Sequence, residues 1–121
     1  MNTSKILALG VAVAIAVSSG SALASSKGEK TFKKKCAACH SLSPGKNKIG
    51  PSLAGVFGRK AGSTDFKKYK GLKDADFVWD EANLDAWLTN PKKFIGKRTA
   101  MSLKLKKKAD RDEIIGFLKE Q

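Results

Sequence analysis

The sequence Cys36-Ala37-Ala38-Cys39-His40 is the most informative stretch of this 121-residue chain. Two thiols three residues apart near a helix end lie on the same side of the chain and can reach two vinyl groups of one porphyrin. The next residue then turns its imidazole towards the central iron. This spacing is that of c-type haem attachment, so it predicts one haem c bound covalently through Cys36 and Cys39, with His40 as an axial ligand.

Other uses of a cysteine pair must be weighed against haem attachment. A thioredoxin-type dithiol requires a βαβ setting, which this sequence does not offer. A structural zinc site requires two further ligands, yet two cysteines and one histidine are the whole supply of thiol and imidazole groups. A disulfide bond fits an exported protein but leaves the adjacent histidine unexplained. An acyl-transfer enzyme with His40 as its base fails once iron binds that nitrogen.

The composition fits one small globular domain with a strong positive charge. Hydrophobic residues make up 41% of the chain and charged residues 29%, and the mean hydropathy is −0.30. The chain has 24 Lys and Arg residues but 11 Asp and Glu residues, which gives a formal net charge of +13. Cysteine and histidine are too few for a multi-disulfide scaffold or for an iron–sulfur cluster held by this chain alone.

Residues 1–24 are predicted to be a secretory signal peptide. A short basic start precedes an apolar run from Ile6 to Val17, and Ala22-Leu23-Ala24 has the pattern of a cleavage site. A membrane anchor is the alternative, but this run is shorter than the roughly 20 residues that span a bilayer. We therefore expect cleavage after Ala24, export to the periplasm and a haem-binding domain at residues 25–121.

The first predicted helix precedes a long irregular segment. Ser26-Lys27-Gly28-Glu29 fits a capping box, and Gly28, Phe32 and Cys36 then recur on one helical face. The segment from Ser41 to Trp79 is rich in Gly, Pro, Ser and Lys and shows no strand alternation. A loop this long counts against a compact domain, and the apolar residues are too sparse to close a core. A covalent cofactor would supply the missing apolar body.

Two further helices complete a predicted all-α fold of short helices and long loops wrapped around one haem. The second helix spans Asp80 to Thr89 and ends because Asn90 precedes a proline. The third runs from about Asp110, its expected N-cap, to Glu120. The apolar positions are Leu84, Trp87 and Leu88 in the second helix. In the third helix they are Ile114, Phe117 and Leu118.

Met101 is the predicted sixth ligand of the iron. It is the one methionine left after the expected cleavage, and it lies in a polar segment where a core methionine is not expected. His/Met ligation raises the reduction potential because a soft thioether favours ferrous iron. The alternative is a haem enzyme or gas-binding protein, such as a peroxidase, which needs an open sixth position and usually a distal histidine or arginine.

With these residues in place, the sequence resembles the class I c-type cytochromes, which include mitochondrial cytochrome c and bacterial cytochromes c2. The resemblance covers essentially all of residues 25–121. Any one fragment is weak, but their order is highly specific. Besides the C-x-x-C-H motif, the matching fragments are Ile49-Gly50-Pro51, Leu53-x-Gly55-Val56-Phe57-Gly58-Arg59-Lys60-Ala61-Gly62, Trp79, Asn90-Pro91-Lys92-Lys93-Phe94-Ile95 and Ile114-Ile115-Gly116-Phe117-Leu118-Lys119.

The resemblance implies roles for further residues. The carbonyl of Pro51 would accept a hydrogen bond from Nδ1 of His40 and orient the ring. Trp87 stands where many relatives have a tyrosine beside the methionine sulfur. Gly28 would let the first helix cross the last one closely. Three residues are expected to hydrogen-bond the haem propionates: Arg59, Tyr69 and Trp79.

The segment before the methionine departs from the family pattern. Many relatives read Pro-Gly-Thr-Lys-Met, whereas this chain reads Gly96-Lys97-Arg98-Thr99-Ala100-Met101. The proline is missing and the methionine lies one residue later, so the geometry of this loop and the reduction potential should differ from those of the relatives.

The resemblance also places the lysine clusters around the exposed haem edge. This implies a soluble, monomeric one-electron carrier, not an enzyme, that is steered onto acidic faces of redox partners such as a bc1-type reductase, an oxidase or a photosynthetic reaction centre. Nucleic acid is a poor partner because the chain is exported and has no reader motif. Membrane-surface contact would be transient, since no amphipathic anchor follows the signal. The clusters are Lys33-Lys34-Lys35, Lys46 and Lys48, Lys92-Lys93, Lys104 and Lys106-Lys107-Lys108.

Overall fold

The computed structural model describes residues 10–12 and 19–121. Four helices lie in this part of the chain: α1 Ser19–Lys35, α2 Glu81–Thr89, α3 Pro91–Ile95 and α4 Lys108–Leu118. Extended pairing within the described residues is limited to one isolated antiparallel bridge between Lys60 and Val78. The predicted all-α fold class is therefore confirmed. None of the helices in the described residues has the length and apolar character needed to span a membrane.

The first and last helices cross where Gly28 faces α4. A Cβ at Gly28 would lie 2.6 Å from the Cβ of Phe117 and would overlap the carbonyl oxygen of Glu113, so the approach requires glycine. One turn later, the rings of Phe32 and Phe117 pack with their centroids 5.5 Å apart. Thr31 Oγ1 donates a hydrogen bond of 3.2 Å to the Glu113 carboxylate. The expected close crossing of these two helices is confirmed.

The start of α1 differs from the prediction. The helix begins at Ser19, so Ser26 lies inside it and is not the N-cap of a capping box. A nucleated helix extends at low cost, and no proline lies between Ser19 and Ser26 to end it. The predicted signal peptide at residues 1–24 lies largely outside the described residues.

The helix α2 begins as predicted, and its end reveals a helix that the sequence analysis did not predict. Asp80 is the N-cap and accepts a hydrogen bond of 2.8 Å from the Asn83 amide. After Asn90, Pro91 starts α3 rather than a loop, because proline is favourable at the first helical position, where its missing N–H is not needed. The Asn90 side chain caps this helix by accepting from the Lys93 amide at 3.2 Å.

The helix α4 begins two residues before its predicted start. Its N-cap is Lys107, which makes no side-chain capping hydrogen bond, and Asp110 lies in the first turn. The prediction of Asp110 as N-cap was therefore wrong. An acidic side chain interacts favourably with the positive end of the helix dipole anywhere in the first turn, so it does not mark the cap itself.

The apolar core joins α1, α2 and α4 to the long segment between α1 and α2. The apolar positions predicted for the second and third helices, which correspond to α2 and α4, are all buried. A second set of hydrophobic side chains packs against this core and stays partly exposed. Among them are Leu53, Phe77, Phe94, Met101 and Leu103. These side chains thus leave apolar surface that a cofactor could cover.

Candidate haem-binding site

The two cysteines lie in a hydrogen-bonded turn that continues α1. The Cys36 amide donates to the Phe32 carbonyl at 2.8 Å, and the His40 amide donates to the Cys36 carbonyl at 2.9 Å. Both thiols are free, with Cys36 buried and Cys39 half-buried. Burial and the neighbouring Cys39 raise the pKa of the Cys36 thiol to about 11. A redox dithiol requires a lowered thiol pKa, so this environment does not suit thioredoxin-type chemistry.

The His40 ring is oriented for metal binding. Its Nδ1 lies 2.8 Å from the carbonyl oxygen of Pro51, which is the contact implied by the resemblance. With the Nδ1 proton assigned to this hydrogen bond, Nε2 carries the free lone pair. Burial lowers the pKa of His40; the hydrogen bond to Pro51 opposes this shift, and Lys48 adds to it. Burial at this position therefore favours the neutral form of the imidazole, which is the form that binds a metal.

The segment containing Gly50 packs against the His40 ring. A Cβ at Gly50 would lie 2.8 Å from Nδ1 and 3.0 Å from Nε2 of that ring, so a larger residue would displace it. The Gly50 amide donates to the Cys39 carbonyl at 2.8 Å, and Lys48 Nζ donates to the Ala37 carbonyl at 2.6 Å. The sequence pointed to Gly50 only through the family resemblance. It gave no sign that Lys48 contacts the Ala37 carbonyl, because no local pattern reveals this hydrogen bond.

Met101 lies half-buried in the loop between α3 and α4. The indole Nε1 of Trp87 donates a hydrogen bond to Met101 Sδ, with 3.2 Å between nitrogen and sulfur. Trp87 therefore takes the place beside the sulfur that the resemblance implied. A thioether sulfur has two lone pairs, so one hydrogen bond from the indole leaves the other for a metal.

Four aromatic rings line up beside this methionine. Trp79 and Trp87 pack edge to face with their centroids 5.3 Å apart, and Phe77 lies between Trp79 and Phe94 at 4.9 and 5.3 Å. Trp79 is only 6% exposed, and its ring lies between those of Phe77 and Trp87. A buried indole N–H usually finds an acceptor, and the bond from Trp79 to a haem propionate stays a prediction.

Arg59 lines an open cavity of about 340 Å³, and Tyr69 lies near Arg59. The Arg59 guanidinium donates to the carbonyls of Ala54 at 2.9 Å and Ser52 at 3.1 Å. Burial lowers the pKa of Arg59, and Tyr69 partly offsets this shift. The Tyr69 hydroxyl shares a hydrogen bond with Thr64 Oγ1. Both side chains are thus held by protein groups, and their bonds to haem propionates stay a prediction.

The donor set suits haem rather than a zinc ion. In the part of the chain that the structure describes, no group of three or more His, Cys, Asp or Glu side chains could hold a metal ion. The site offers instead two free thiols, one neutral imidazole and one thioether beside partly exposed apolar residues. These are the groups that a covalent haem with one nitrogen and one sulfur ligand requires.

Comparisons with known proteins agree with this donor set. A family model of cytochrome c matches residues 25–121. The chain is similar to cytochrome c of Arabidopsis thaliana, with 46% identity over 103 residues that cover 78% of this chain and 87% of that protein. It is also similar to cytochrome c of Theileria annulata, with 43% identity over 95 residues that cover 78% of this chain and 83% of that protein.

Two solved structures share the fold. One is cytochrome cH from Methylobacterium extorquens, with a TM-score of 0.72 and 35% identity, covering 80% of this chain and 98% of that chain. The other is cytochrome c2 from Rhodospirillum Centenum, with a TM-score of 0.72 and 32% identity, covering 79% of this chain and 96% of that chain. The chain belongs to the cytochrome c family and is an electron-carrying haem protein with one haem c attached covalently through cysteine.

Proposed function

We propose that this protein is a soluble one-electron carrier, with haem held by Cys36 and Cys39 and iron ligated by His40 and Met101. The observation that carries the proposal is the His40 ring that Pro51 orients directly after the two free thiols. The Met101 thioether, which accepts a hydrogen bond from Trp87, supports the choice of the sixth ligand. Bound haem supplies an Fe(II)/Fe(III) couple that accepts and returns one electron without a change in covalent bonds.

The residues around the two ligands would keep their geometry nearly constant during electron transfer. Pro51 fixes the tautomer and direction of His40, and Gly50 leaves room for the ring against the backbone. Trp87 holds the sulfur of Met101 from α2. No residue has to donate or abstract a proton in this reaction, so a single histidine suffices.

The propionates of the haem would be held by three residues: Arg59, Tyr69 and Trp79. The cationic Arg59 at an open cavity and the buried indole of Trp79 support this assignment. Hydrogen bonds to a charged acceptor are stronger than neutral ones, so these donors would stabilise ionised propionates inside the protein.

Partner docking would use the exposed lysine clusters. Ile49, a large apolar side chain that is 75% exposed, lies next to Lys48 and close to Lys46 in the chain. A positive surface with a small apolar contact favours fast, weak and salt-sensitive encounters with acidic faces. We propose that such faces belong to a reductase such as a bc1-type complex and to an oxidase or a photosynthetic reaction centre, and that the protein is a monomer that meets them in transient contacts.

The compartment would be the periplasm, reached after cleavage of residues 1–24. The basic, apolar and small-residue pattern supports this, as does the family match, which begins at residue 25. Cleavage there would shorten α1 and make Ser26 available as an N-cap.

The test is to express the full chain in cells that can mature c-type cytochromes and to purify the coloured product. We expect an intact mass equal to residues 25–121 plus one haem, a haem c pyridine haemochrome, a reversible one-electron titration and no carbon monoxide binding to the ferrous protein at neutral pH. A colourless product or the mass of the bare processed chain would overturn the haem assignment. Ready carbon monoxide binding would instead favour the haem enzyme or gas-binding alternative.

A further inference from the structure

The loop that carries Met101 is fastened to α2 near its C-terminal end. Leu105 is only 4% exposed, and its amide donates to the carbonyl of Leu88 at 2.8 Å. Leu88 lies in the last turn of α2, where carbonyl oxygens have no partner inside the helix. The neighbouring residue in α2 is Trp87, which holds the Met101 sulfur. The loop end and the sulfur are therefore attached to the same turn of the same helix.

Arg111, in the first turn of α4, closes this attachment. Its Nε donates to Asp85 Oδ1 at 2.7 Å, and its Nη1 donates to the carbonyls of Leu105 at 2.9 Å and Lys106 at 3.1 Å. The Arg111 side chain is 11% exposed and that of Asp85 38%, so the ion pair is partly shielded from water. A planar guanidinium can bond all three acceptors at once in fixed directions, which a lysine cannot do.

The middle of the loop has few attachments of its own. Within the described chain, one hydrogen bond joins residues 97–104 to another part of the molecule, namely that from Trp87 to Met101 Sδ. The Met101 amide bonds only Thr99 within the loop. The loop also packs on the core through Leu103, and its Arg98 carbonyl lies against Gly71. The hydrogen bonds at the ends of the loop therefore act together with this packing to position the sulfur.

We propose that Arg111 is a positioning residue for Met101 and that its ion pair with Asp85 is a latch that keeps the loop closed. The inference rests on the proposed function, in which Met101 is an iron ligand. When the latch is removed, Leu105 is held less firmly and the fraction of molecules with Met101 dissociated increases. An external ligand binds only those molecules, so its apparent affinity measures that fraction.

The experiment titrates the ferric holoprotein with imidazole at neutral pH and follows the near-infrared sulfur-to-iron band. We expect Arg111→Gln to lower the apparent Kd for imidazole on the order of tenfold, because it removes hydrogen bonds made by a charged group. Arg111→Lys should have an intermediate effect. The matched control is Asp112→Asn, which removes an exposed ion pair with Lys108 on the same helix and should leave the Kd unchanged.

A purely structural role of Arg111 predicts a different outcome. In that case Arg111→Gln lowers the midpoint of unfolding by guanidinium while the imidazole Kd stays at the wild-type value, and the proposal is overturned. Asp85→Asn leaves the arginine in place and should shift the Kd in the same direction, which provides the test if Arg111→Gln does not fold. A wild-type protein without the near-infrared band would overturn the proposed Met101 ligation as well.

Discussion

The two proposed iron ligands are held in different ways. His40 follows α1 in a continuous hydrogen-bonded turn, and Pro51 and Gly50, a short distance along the chain, fix its ring. Met101 lies in a loop whose middle is joined to the rest of the described chain by Trp87. The histidine is thus fixed by local sequence, and the methionine by contacts between distant elements. The methionine should therefore be the ligand that can be exchanged.

The largest effect is expected when the histidine side of the site loses the two cysteines that attach the haem. Cys36→Ala combined with Cys39→Ala should yield a protein without haem, and that chain should not fold because the cofactor completes its core. Intact mass and far-ultraviolet circular dichroism check this result. A variant of bare-chain mass that unfolds cooperatively with native helix content would contradict the account.

A large effect is also expected at Gly50. In Gly50→Ala the new Cβ would push against the His40 ring, so we expect a loss of about 1–3 kcal/mol or more in the free energy of unfolding. The matched control is Gly116→Ala in α4, where a Cβ meets nothing within 4 Å. That change should stabilise the protein by about 0.5–1 kcal/mol through helix propensity.

Guanidinium unfolding of the Gly50→Ala and Gly116→Ala holoproteins measures the two changes in the free energy of unfolding. Equal stabilities for Gly50→Ala and the wild type would show that the ring tolerates displacement, and the proposed local fixation of the imidazole would then be wrong.

On the methionine side, the hydrogen bond from Trp87 should tune the reduction potential. A hydrogen bond to the thioether weakens its donation to ferric iron, so Trp87→Phe should lower the potential, by up to about 60 mV if the bond contributes its usual energy. Trp87→Tyr has nearly the same ring as Trp87→Phe, and its hydroxyl group restores a hydrogen-bond donor. Redox titration of both variants separates the effect of the hydrogen-bond donor from that of the smaller ring. Equal reduction potentials for the two variants would show that the hydrogen bond from Trp87 does not tune the potential.

At neutral pH the smallest effect is expected from Lys97, whose influence on the iron appears only in alkali. A lysine amine binds iron only after losing its proton, so Lys97, exposed in the same loop, should displace Met101 as the pH rises. The near-infrared sulfur-to-iron band should therefore disappear on alkalinisation, and in Lys97→Ala it should persist to higher pH. Lys30→Ala, at an exposed position of α1, is the control. A band that resists alkali in the wild type would rule out the exchange.

The sequence was informative wherever one short segment determines the structure. The C-x-x-C-H motif contains its own turn, and the α2 boundaries follow from the Asp80 cap and the Asn90-Pro91 pair. The apolar stripe of α4 follows from its spacing. Each of these features depends on hydrogen bonds or periodicity within about ten residues, so each could be predicted without knowledge of the fold.

The features that were missed are of two kinds, one local and the others dependent on the tertiary fold. Pro91 was interpreted as a helix end, although Asn90 caps a second helix that the proline then starts. The chain pattern gave no indication that Lys48 reaches the Ala37 carbonyl, or that Arg111 bonds the loop end at Leu105. In a lysine-rich sequence, no local pattern distinguishes a cationic side chain that makes tertiary hydrogen bonds from one that stays in solvent. Its acceptors come from distant parts of the chain that only the fold brings close.

The most direct test of the central claim is X-ray absorption at the iron K-edge of the oxidised protein at neutral pH. The account predicts one sulfur scatterer bound to iron, with nitrogen as the other near neighbours, and loss of that sulfur in Met101→Ala. A wild-type iron site surrounded by nitrogen or oxygen alone would contradict the pairing of His40 with Met101.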